Sequence, residues 1–198
     1  AVNKMHEMSF LIYNLIIFPI IAGMLIVNKD FVNFFLGKDF QEARVAIDIM
    51  IARMFFIGWT NIMGIQILIP HNKNREFMLS TTIPAFVSVG LNLLLISSLG
   101  FVGASITSVL TEALVWVIQY YYTRSYLKEV PILSSMLKII LSSSLMYIIL
   151  LLLQPLLKFS SVVNVGIYGI LGAVFYISFI LVFRVVNIKE LKEQFLKK

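Results

Sequence analysis

Six apolar runs, each about as long as a bilayer crossing, limit what this chain can become. They span residues 8–27, 47–69, 78–98, 102–122, 137–157 and 162–183. A hydrocarbon core of about 30 Å takes roughly 20 helical residues. Lipid offers the backbone no hydrogen-bond partner, so each run is expected to be a helix. The expected fold is therefore all-α, a polytopic integral membrane bundle of six transmembrane helices. Hydrophobic residues make up 60% of the 198 and charged residues only 13%, which excludes a soluble domain. There is no cysteine, so disulfide and thiol chemistry are excluded.

Lysine and arginine give the expected orientation. Eleven fall on one side of the six runs: Lys4, Lys73, Arg75, Arg124, Lys128, Lys138, Arg184, Lys189, Lys192, Lys197 and Lys198. Four fall on the other: Lys29, Lys38, Arg44 and Lys158. The bias predicts both termini in the cytoplasm. It also accounts for the net charge of +6 without nucleic acid, because the basic residues are scattered over loops and form no aromatic-laced patch. The tail, 187–198, has helical spacing at Ile188, Leu191 and Phe195 and predicts a short surface helix. The chain begins with alanine, and it is expected to be part of a longer protein.

The stretch 43–70 organises the rest. It is long enough to cross a bilayer, yet it carries Arg44, Asp48, Arg53, Asn61 and Gln66. A charge at membrane depth costs about 2.5–3.5 kcal/mol even on the lenient insertion scale, so it faces protein or water. On a helix, Arg53, Thr60 and Gly64 fall within about 40° of one another. Asp48 and Gln66 share a second stripe. Lipid is left with the remainder, around Phe55, Ile62 and Ile69. Asp48 can pair with Arg44 one turn earlier.

Two more runs carry polar faces. Ser105, Ser108, Glu112 and Gln119 cluster on the fourth. Thr81, Ala85, Ser88 and Asn92 cluster on the third. Hydrogen bonding between packed helices is the plain account for Ser, Thr and Asn. For Arg53 and Glu112 a functional role is expected, because intramembrane charges mark pathways. Pro19 and Pro84 can kink their helices. Gly166, Gly169, Gly172 and Ala173 give the sixth run a face for close helix contact. The fifth and sixth runs have uncharged cores and are expected to lie outside any polar pathway. Tyr120, Tyr121, Tyr122 and Tyr126 suggest an interfacial belt. Catalysis is not expected. With His6 and His71 the only histidines, neither a metal cluster nor a Ser/His/Asp set can be assembled, and no cofactor is implied.

Three segments, in order, resemble a known family. Pro19 and Gly23 precede NKDFVNFFLGKDFQEA; GIQILIPHNKNREFM closes the second run; LNLLLISSLGFVGASITSVLTE joins the third to the fourth. The last is the most specific, with Asn92, Gly100, Gly103, Ala104 and Glu112. Together they resemble bacterial polysaccharide flippases, the O-antigen, capsule and exopolysaccharide repeat-unit transporters of the multidrug/oligosaccharidyl-lipid/polysaccharide exporter superfamily. The resemblance covers about residues 1–125. Residues 126–198, two apolar spans and a basic tail, match only in being apolar.

The resemblance implies the C-terminal lobe of a two-lobe transporter in the bacterial inner membrane, whose N-terminal lobe lies outside this chain. The implied substrate is an oligosaccharide on undecaprenyl diphosphate, moved from the cytoplasmic to the outer face. Polysaccharide polymerase and chain-length proteins are implied partners, beside membrane lipids. Arg53 would meet the diphosphate; Asn61, Ser88, Asn92 and Gln119 would meet sugar hydroxyls; Glu112 or Asp48 would titrate if transport is ion-coupled. A small-molecule or drug exporter of the same superfamily is one alternative. A membrane scaffold of polysaccharide assembly, without transport of its own, is the other.

Overall fold

A computed structural model describes residues 2–127, 132–156 and 159–185. Among these residues the fold is an all-α bundle of six α-helices: α1 (Val2–Phe35), α2 (Ala43–Asn61), α3 (Asn74–Leu99), α4 (Phe101–Leu127), α5 (Ile132–Leu153) and α6 (Ser161–Val182). All six are long and apolar enough to cross a membrane. The predicted surface helix at 187–198 lies outside the described residues.

The helix ends follow from local chemistry. α1, with 34 residues, is about 51 Å long and exceeds the hydrocarbon core. It stops at Gly37, whose φ of 96° no side chain tolerates well and whose N–H bonds back to the Val32 carbonyl at 3.1 Å. α2 runs directly into a π-helical segment, Ile62–Leu68. There the backbone bonds reach five residues back, as in Ile69 N–H to the Gly64 carbonyl at 3.2 Å. α3 and α4 are joined through Gly100 alone, at φ 56°. Gly103 then lets the two helices close, since a Cβ there would lie 2.2 Å from the Leu95 carbonyl oxygen.

The helices pack in a branched row. α3 lies on α4, α4 on α2, and α2 on α1; α5 and α6 pack on the other side of α1 and on each other. One buried cluster, around Phe10, Trp59, Met63, Ile67 and Leu127, joins α1, α2, the π segment and α4. A second, around Ala22, Ile26, Met146, Leu150, Tyr168 and Tyr176, joins α1, α5 and α6.

Several polar groups within the spans find partners on neighbouring helices, where lipid offers none. Trp59 Nε1 donates to Asn14 Oδ1 at 3.0 Å. Tyr13 Oη accepts from the Gly58 N–H at 3.1 Å and donates to the Met54 carbonyl. Its ring occupies the space a Cβ on Gly58 would need. Pro19 sits inside a continuous α1 and has no N–H to offer the Leu15 carbonyl four residues earlier. Tyr176 of α6 supplies the missing donor, Oη to Leu15 O at 2.7 Å.

Three expectations change here. Phe55 and Ile62 do not face lipid: Ile62 is buried, and Phe55 packs between Phe18 and Trp59. α2 is enclosed by α1 and α4, which leaves Ile69 as the exposed member of that trio. Asp48 does not pair with the Arg44 side chain. Its Oδ1 accepts from Asn28 Nδ2 of α1 at 2.6 Å, and the same amide donates to the Arg44 carbonyl at 3.0 Å. The α6 glycines do not bring helices together either. A Cβ on Gly166 or Gly169 meets nothing within 4 Å, and one on Gly172 makes only ordinary contact with Leu150.

Candidate functional site

The Arg53, Thr60, Gly64 stripe of α2 and its π extension faces the Glu112, Gln119 stripe of α4. Thr60 Oγ1 donates to Glu112 Oε1 at 2.9 Å. Arg53 Nη2 reaches Glu112 Oε2 at 3.4 Å. Thr60 lies seven residues after Arg53, about 10 Å along the axis, so one carboxylate bridges two turns of α2. Gly64 continues the seam: a Cβ there would lie 2.7 Å from the Phe77 ring and 2.9 Å from Gln119 Nε2. Its missing side chain is what lets α3 and α4 approach the π segment. Gln119 is buried and donates to Ser80 Oγ of α3 at 3.2 Å.

Beside this seam lies a cleft of about 250 Å³, lined by Thr60, Asn61, Ile65, Phe77, Thr81, Glu112, Val115 and Gln119. Three helices and the π segment thus contribute to one pocket. Its polar groups are mostly neutral, hydroxyls and amides, with one carboxylate. Such a set suits a polyhydroxylated ligand, since hydroxyls donate and accept and an amide does both.

The pair geometry separates the two ions. A charge-assisted N–H···O bond is ordinarily about 2.7–2.9 Å. Arg53 Nη2 stands beyond that range, 3.4 Å from Glu112 Oε2, while the Thr60 hydroxyl lies 2.9 Å from both Glu112 Oε1 and the Ile57 carbonyl and shares its one proton between them. The Arg53 side chain is 37% exposed, Glu112 only 17%. Arg53 Nε is buried without a partner. Glu112 is thus held loosely from both sides, and the guanidinium keeps unused hydrogen-bonding capacity.

Of the residues expected to line a pathway, Glu112, Asn61 and Gln119 come together in the cleft. Asn61 is exposed, and its side-chain amide donates to the Ile57 carbonyl at 2.8 Å. Arg53 touches Glu112 but does not itself line the cleft. Ser88 and Asn92 lie further along α3, outside the lining; Ser88 bonds only to its own helix, at the Ala85 carbonyl. Asp48 lies at the other end of α2, tied to α1. Gln66 is exposed on the π segment, outside the cleft lining.

Thr60 and Thr81 are the site residues that a search for charged and amide groups passes over. Both stood on the polar stripes already visible in the sequence. Phe77 had no such signal, because its position depends on Gly64 opposite. Comparison with family models, with curated proteins and with solved structures found no match.

Proposed function

We propose that this membrane bundle is one lobe of a flippase that carries oligosaccharide on undecaprenyl diphosphate from the cytoplasmic to the outer face of the bacterial inner membrane. The sequence resemblance over residues 1–125 supports the class. The single structural observation that carries the reading is the junction of Arg53, Glu112 and Thr60 beside a cleft of hydroxyls and amides. Sugars and diphosphate do not cross hydrocarbon unaided, so a carrier must offer them a polar route. Thr60, Asn61, Thr81 and Gln119 supply sugar-binding groups. Arg53, partly exposed and loosely paired, supplies bidentate donors for phosphate oxygens. The cavity is completed by a facing lobe, and alternating access comes from rocking of one lobe against the other.

A second reading has its own observation. Glu112, an acid, lines the cleft, while Arg53 does not. That polarity favours a cationic small molecule and the exporter alternative. The experiment is to place Arg53→Ala, Arg53→Lys and Glu112→Gln in the full-length parent and measure membrane level and polysaccharide export together. The flippase reading expects near-normal level, loss of export in Arg53→Ala and partial rescue by lysine. Normal export by Arg53→Ala at normal level would remove Arg53 from the mechanism. If Glu112→Gln alone abolishes transport of an organic cation, the exporter reading stands instead. If both changes lower only the protein level, the pair is structural and the scaffold reading gains.

The proposed orientation puts the α2–α3 turn in the cytoplasm. A cysteine at Asn74 should resist membrane-impermeant maleimide in intact cells and react after permeabilisation. Labelling in intact cells would reverse the topology.

A further inference from the structure

α1 and α6 are tied together at two points and part between them. At one, Tyr176 Oη bonds the Leu15 carbonyl. At the other, Asn164 Nδ2 donates to Asp30 Oδ2 at 3.2 Å. Between them lies an apolar groove of about 420 Å³, walled by Pro19, Gly23 and Val27 of α1 and Val165, Gly169 and Ala173 of α6. A Cβ built on Gly23 or Gly169 meets nothing within 4 Å. The glycines hold the gap open.

The groove has the dimensions of one lipid chain. On α6 it extends from Val165 to Ile177, about 18 Å of helix. One leaflet of a core about 30 Å thick is about 15 Å deep. One end of the groove is also marked by charge. Just beyond Val27 and Val165 stand Asp30 and Asn164, at the end of the bundle where α1 turns toward α2. Asp30 is half-buried, and among the described residues its Oδ1 has no hydrogen bond. An apolar slot one leaflet deep, ending in a carboxylate, is complementary to a hydrocarbon chain below an ammonium group.

We propose that the α1–α6 groove binds one acyl chain of an amine-headed phospholipid, its ammonium on Asp30, from the leaflet on the α1–α2 side. By the lysine and arginine count that is the outer leaflet. The site is separate from the polar cleft and does not depend on the transport reading.

Native mass spectrometry of the purified chain tests it, with phosphatidylethanolamine and phosphatidylglycerol of identical tails as probes. The ethanolamine lipid should be retained at least fivefold more than the glycerol lipid. Gly169→Leu and Gly23→Leu fill the groove from opposite walls, each entering where its Cβ meets nothing within 4 Å. Each should lower retention of both lipids about tenfold while leaving the melting temperature in detergent unchanged or higher. Asp30→Asn should keep the bond to Asn164 and abolish the headgroup preference alone. If one glycine variant fails to fold, the other decides. Unchanged retention in the folded glycine variants, equal retention of the two lipids, or an unaltered preference in Asp30→Asn would overturn the proposal. So would a dimer that the glycine variants dissolve, since a helix of a second copy would then be the occupant.

Discussion

The α2–α3–α4 half and the α1–α5–α6 half are made from much the same apolar residues but are held together differently. In the first, polar groups cross between helices: Thr60 and Arg53 to Glu112, and Gln119 to Ser80. Two of its glycines, Gly64 and Gly103, sit where another helix presses in, though Gly90 on α3 meets nothing. In the second, the core is an apolar cluster of Ala22, Ile26, Met146, Leu150, Tyr168 and Tyr176, and the polar bonds between α1 and α6, from Tyr176 and Asn164, stand at its two ends. The hydroxyl of Tyr176 is spent on a carbonyl that Pro19 orphans. Its glycines at 23, 166 and 169 touch nothing. A small residue in a membrane helix can therefore close an interface or open a groove. The helix opposite decides which.

Four substitutions, two of them paired in one cycle, would sharpen that contrast or break it. The largest effect is expected from Gly103→Val. Its side chain would enter the Leu95 backbone, which cannot swing aside as a flexible side chain can. A loss of about 3 kcal/mol is expected in SDS-titrated unfolding, with the α3–α4 hairpin failing first. Wild-type stability in this variant would mean that the close approach at Gly103 is dispensable.

Tyr176→Phe comes next. It removes the donor from the Leu15 carbonyl and leaves that oxygen bare in a dry interface. The expected loss is about 1 kcal/mol, in the range of interhelical hydrogen bonds in membranes. Restoring Pro19 to a residue with an N–H, as Pro19→Ala, should shrink the effect of Tyr176→Phe in a double-mutant cycle. Additive effects would show that the tyrosine and the proline act independently.

The smallest effect, and of opposite sign, belongs to Gly169→Ala. The added methyl meets open space, and alanine is a better helix former than glycine by about 0.5–1 kcal/mol. A modest gain in thermal stability in detergent should follow. A clear loss would mean that the glycine face of α6 is a close-packed interface after all.

Much of the bundle could be read from the sequence. All six spans were legible, because about 20 apolar residues in a row can only be helical in lipid. The facing of Arg53, Thr60 and Gly64 was legible too, since the 3.6-residue period puts them on one side. The π-helical continuation of α2 was not. No residue in IMGIQIL announces five-residue backbone bonds, and the period argument assumes the commoner helix. Ser88 and Asn92 share a face with Thr81, yet the cleft stops short of them. A helical wheel gives an angle without saying how far along a helix its neighbour keeps company with it.

The sequence by itself therefore determined the six membrane-length helices, their class and the polar stripes that meet at Glu112. These are consequences of local composition in a medium that offers the backbone no hydrogen bond. Only the tertiary structure decided who meets whom: Asp48 with Asn28 rather than Arg44, Phe55 against Trp59 rather than lipid, Gly169 beside a groove rather than a helix. Partner choice depends on the order and tilt of packed helices. That order follows from the fit of whole surfaces, with Trp59 and Tyr13 filling the space between α1 and α2, and no single segment contains it.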